Sequence, residues 1–67
     1  MSRFNLNGEE IEVYIKTNCL NERNVVIANR TKNKEFTALV FNGKSNAELY
    51  YKKYDYIIEF LGGERID

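Results

Sequence analysis

The dipeptide Asn7-Gly8, set between two runs of alternating apolar residues, is the feature that most restricts this chain. A two-residue type I′ hairpin needs positive φ at both central positions, and Asn followed by Gly tolerates this well. Before the dipeptide, Phe4 and Leu6 share one face of Arg3–Leu6. After it, Ile11, Val13 and Ile15 alternate with Glu10, Glu12, Tyr14 and Lys16 across Glu9–Lys16. Successive side chains of a strand point to opposite sides, so this period of two predicts strands with one buried face. The chain therefore opens with a β-hairpin, and its later segments must cover the apolar face of that hairpin.

Thr17 to Asn24 is polar and reads as a loop, with Leu20 folding back onto the core edge. Val25–Arg30 and Glu35–Phe41 are rich in β-branched and aromatic residues and read as a second hairpin around Thr31–Lys34. Their centres, residues 25–28 and 38–41, are apolar at consecutive positions, which predicts strands covered on both faces. Asn42-Gly43-Lys44 then marks the change to helix. Ser45 followed three residues later by Glu48 fits a capping box, in which each side chain bonds the other residue's amide. The helix runs to about Leu61 and stops at Gly62-Gly63, leaving Glu64–Asp67 as a polar tail. The expected fold is α+β: one domain over residues 1–67, with a four-stranded antiparallel sheet (two hairpins) packed against one C-terminal helix, ββββα.

Turned at about 100° per residue, the helix divides unevenly. Ala47, Tyr50, Tyr54, Ile57 and Leu61, with Tyr51 and Ile58 beside them, form the expected core stripe. Leu49, Tyr56 and Phe60 form a second apolar stripe, with Lys53 between the two. Glu48, Lys52, Asp55 and Glu59 make a narrow polar face. A helix on one sheet needs an apolar arc only a little wider than about 100°. The excess predicts an interface at Leu49, Tyr56, Phe60 and Lys53. A small chain gains buried area by associating, and Tyr and Phe are enriched at interface cores.

Composition removes several function classes. The 67 residues include no His, no Pro and one Cys. A Ser-His-Asp triad, an internal disulfide and a Cys/His metal site are therefore out of reach. Glu10 and Glu12 share the outer face of a strand as solvated charges, and Cys19 is a lone loop thiol near Arg23. Gly43-Lys44-Ser45 ends like a phosphate-binding loop, but position 38 is Ala where that motif needs Gly. The expectation is no enzyme, no cofactor and no metal. No apolar run approaches the length of a membrane span, and the first ten residues lack the apolar core of a secretory signal. With a single Cys, this points to the cytoplasm. Nine Asn, with abundant Lys, Ile and Tyr, suit AT-rich coding, as in a phage or mobile element of a low-GC bacterium.

Ten Lys plus Arg balance ten Asp plus Glu, so no overall field draws the chain to nucleic acid. A local basic cluster does exist: Arg30, Lys32 and Lys34 sit at the second hairpin's tip, and Tyr14 on the outer sheet face could stack on a base. The ββββα order is similar to that of dimeric single-stranded-nucleic-acid-binding transcriptional coactivators. The opening RFNLNGEEIEV resembles the first hairpin of small archaeal chromatin proteins. Both resemblances imply nucleic-acid contact. The zero formal charge departs from the strongly basic chromatin proteins, so neither function is carried over. Two expectations result. The first is a non-catalytic protein-binding module, a homodimer that docks on a host protein as a phage or mobile-element inhibitor. The alternative is a single-stranded nucleic-acid-binding or transcription-regulating module using Arg30, Lys32, Lys34 and Tyr14.

Overall fold

A computed structural model describes residues 1–42 and 47–67, with the side chains of residue 36 and residues 39–42 outside the description. Strands β1 (Ser2–Leu6), β2 (Glu9–Thr17), β3 (Glu22–Asn29) and β4 (Lys34–Asn42) precede helix α1 (Ala47–Phe60) and strand β5 (Glu64–Arg65). Among the described residues they form one antiparallel sheet of order β4-β3-β2-β1-β5 with α1 against one face. The α+β class is as expected from the sequence. The expected capping box at Ser45 and the likeness of Gly43-Lys44-Ser45 to the end of a phosphate-binding loop fall on residues outside the description.

Three local expectations are corrected. The tail is not a free polar end: Glu64 and Arg65 pair with Asn5 and Phe4 of β1, adding a fifth strand. The β2–β3 connection is shorter than expected, because the strand pairing runs through Lys16↔Asn24 and Thr17↔Arg23. Once Val25 and Ile15 are paired, antiparallel registry carries polar residues into the ladder without further apolar demand. Leu20 is left at the tip of that turn, 75% exposed, instead of folding onto the core.

Register sorts the two faces. Ser2, Phe4 and Leu6 align with Val13, Ile11 and Glu9, and Val13 and Ile15 align with Ile27 and Val25. This face meets α1 and forms the core of Phe4, Ile11, Val13, Val25, Ala47 and Ile58. Each large apolar side chain fully buried there contributes about 1.5–3 kcal/mol. The helix packs mainly on β2 and β3, with a lighter contact to β1.

On the opposite face Val26 and Ala28 are also buried, as the double-sided reading of β3 anticipates, but their cover comes from within the chain. Ala28 lies between Glu12 of β2 and Glu35 of β4. Arg30, two residues further along, reaches both carboxylates, at 2.7 Å and 3.7 Å, and lies 5.9 Å from the Tyr14 ring centroid. Arg3 approaches Glu12 and Glu10 from the other side. Glu12 is therefore a buried member of an ion-pair network, not a solvated strand charge. Beside this network β4 carries a bulge: Val25 pairs with Leu39 but Val26 with Thr37, leaving Ala38 as the extra residue.

Candidate protein-binding surface

The rotation of α1 about its axis is set by a polar contact. Ser2 shares a sheet face with Phe4, so its hydroxyl points into the core and needs a partner. It donates to Asp55 Oδ2 at 2.7 Å and bonds the Tyr51 hydroxyl at 2.6 Å. Arg65 of β5 donates to the same Asp55 oxygen at 3.0 Å and lies 5.1 Å from the Phe4 ring centroid. The hydrogen bond to Asp55, with the charges of Asp55 and Asp67, holds the Arg65 guanidinium above its ordinary pKa. Asp55 is thus buried, where the helical pattern alone assigns it to the polar face.

This turns the helix away from its expected orientation. Tyr51, Asp55 and Ile58 face the sheet, whereas Ile57 and Leu61, expected in the core, are 49% and 62% exposed. The second stripe is open as well: Leu49 is 55%, Tyr56 74% and Phe60 90% exposed, and Lys53 lies exposed among them. Ile57 and Leu61 therefore widen the apolar surface expected from Leu49, Tyr56 and Phe60. The signal that could have found this rotation is Ser2, a polar residue in register with core positions, together with the acid on α1 able to receive it.

The basic hairpin tip has a different environment. Arg30 holds Glu12 and Glu35, and the Glu12 hydrogen bond raises its pKa. Lys32 Nζ lies 3.4 Å from Glu9, whose carboxylate also accepts from the Asn29 amide. That amide bond, followed by the charge of Lys32, holds Glu9 below its ordinary value of 4.5. The Tyr14 hydroxyl donates to Glu35 at 2.8 Å, which raises its pKa above 10.0. Lys34 is exposed. The structure thus brings Arg30 and Tyr14 together but surrounds them with carboxylates, so the field at this tip is mixed in sign.

Cys19 is exposed in the β2–β3 turn. No described helix is long and apolar enough to cross a membrane. In comparisons with known proteins, the chain matches no protein family, no curated protein and no solved structure, so its side-chain geometry alone carries the functional reading.

Proposed function

We propose that this chain is a small non-catalytic protein-binding module that works as a homodimer joined through the outer face of α1. The observation that carries this reading is the exposure of Leu49, Tyr56, Ile57, Phe60 and Leu61 along one side of a single helix. Scattered apolar residues on a surface are ordinary, but contiguous large ones mark a surface that is covered in use. Aromatic side chains supply much area for little conformational entropy, as interface anchors do. The setting suggested by the Asn-rich composition is a phage or mobile element, where such a dimer would block a host protein. The nucleic-acid alternative is less favoured, because Arg30 and Lys32 already hold carboxylates and would have to exchange them for phosphates.

Sedimentation equilibrium tests the proposal. A dimer is expected at hundreds of micromolar. Phe60→Asp should make it monomeric, because a carboxylate in a dry contact is strongly unfavourable. Phe60 is 90% exposed, so the variant should keep the wild-type circular dichroism. A wild-type chain that stays monomeric at these concentrations overturns the reading.

A further inference from the structure

The exposed face of α1 has an internal order that specifies how a second copy docks. Leu49, Lys53, Tyr56 and Phe60 follow each other at spacings of four, three and four residues. This is the spacing of a coiled-coil seam, which keeps one narrow line of side chains turned toward a partner helix. The seam is bordered on one side by Lys52 and Glu59, and on the other by Tyr50 and Ile57. One border is charged and the other apolar.

From this pattern we infer that two copies pair their helices antiparallel, Leu49 of each against Phe60 of the other. The inference rests on the homodimer proposed above and adds its geometry. In an antiparallel pair each border faces its own kind, whereas in a parallel pair it faces the opposite border. The antiparallel arrangement sets Tyr50 against Ile57 of the second copy, twice across the two-fold axis. It also brings Lys52 alongside Glu59 of the second copy, twice across the two-fold axis. Glu59 can accept this partner at the interface rim while its carboxylate also meets Arg65 at 3.5 Å.

The parallel arrangement would set Lys52 and Glu59 against an apolar border. It would also stack Lys53 on Lys53, two ammonium groups in a drying contact. Antiparallel pairing instead places Lys53 beside Tyr56 of the second copy. Lys53 already sits over an aromatic ring within its own chain, with Nζ 4.8 Å from the Tyr50 centroid, so a cation–π contact at this helix is geometrically natural.

The available area suits a dimer. A standard interface takes about 800 Å² from each partner, roughly a sixth of this chain's 4696 Å² surface. Tyr56 and Phe60 can each bury on the order of 150–250 Å². Leu49 and Ile57 add to them along the helix, which is about 21 Å long at 1.5 Å per residue.

Disulfide trapping between single-cysteine variants tests the orientation. Cys19→Ser removes the native thiol, and Leu49→Cys or Phe60→Cys is then introduced separately. Cysteine is a small apolar residue, so the seam loses little of its character. The two variants are mixed, oxidised and analysed by mass. Antiparallel pairing predicts that nearly all cross-linked protein joins position 49 to position 60, because like positions lie about 16 Å apart along the axis. Cross-links of 49 to 49 and 60 to 60 would overturn the orientation while leaving the homodimer intact. So would a sedimenting dimer that forms no disulfide at either position. A monomeric wild-type chain would instead remove the dimer itself.

Discussion

Asn7, Asn21 and Asn33 hold φ at 54°, 60° and 54°, one in each turn joining consecutive strands of β1 to β4. A second Asn in or beside each turn accepts backbone protons through its Oδ1. Asn5 accepts from Gly8, Asn18 from Leu20 and Glu22, and Asn29 from Lys32. The abundance of Asn, which from composition alone suggests AT-rich coding, thus has a structural use at each of these turns. Asn tolerates the left-handed region because its short polar side chain bonds locally, whereas a β-branched residue there is strained. Asn21→Val is therefore expected to destabilise the fold by about 1–2 kcal/mol, and Asn21→Gly to stay within about 0.5 kcal/mol of wild type. Urea unfolding of the two variants checks this, and equal stabilities would refute the claim. Asn7-Gly8 and the turn at Thr31–Lys34 were legible in advance, because strand-like apolar runs flank each of them. The turn at Asn21 is embedded in a polar stretch with no hydrophobic period to bracket it.

At the scale of elements, the end of α1 and strand β5 act as one unit. Gly62 holds φ at 101°, and its amide donates to the Glu59 carbonyl at 3.0 Å. The Gly63 amide donates to the Ile58 carbonyl at 2.9 Å. This is a Schellman ending, and it turns the chain sharply back. A Cβ at Gly63 would sit 2.7 Å from Ile58 Cγ2, so the return path requires glycine there. Arg65 then lands on Asp55, and the Ile66 amide donates to the Arg3 carbonyl at 2.9 Å. The helix stop was legible from Gly62-Gly63, but the strand after it was not. A two-residue strand has no period to read, and its stability comes from Asp55 and Phe4, which are distant in sequence. Arg65→Ala should lower the stability of the fold, by less than the loss of a fully buried pair, because the Arg65 side chain is 43% exposed. Amide exchange at Ile66 should rise with it. Unchanged exchange at that amide would mean that β5 is held without the clasp.

For the molecule as a whole, the two sheet faces are closed by different means. One lies under α1; the other covers Val26 and Ala28 with the Arg30 network and needs no second chain. The double-sided apolar run in β3 is therefore no argument for association, although the sequence alone invites it. The excess apolar arc of the helix was legible, since it depends only on counting residues around a cylinder. Which flank faces the sheet was not legible, because the Ser2–Asp55–Arg65 contact decides it across 63 residues of chain. A domain of this size buries only roughly 60% of the surface its unfolded chain exposes, so its own core leaves a narrow margin. Dimerisation through α1 would couple stability to concentration by mass action, since the partner binds the folded chain and not the unfolded one. The melting temperature should then rise by roughly 3–5 °C for each tenfold increase in protein concentration. The Phe60→Asp variant should melt at one temperature throughout, below the concentrated wild type. Calorimetry or circular dichroism across two decades of concentration measures both. A wild-type midpoint that does not move would show that folding is complete within the single chain.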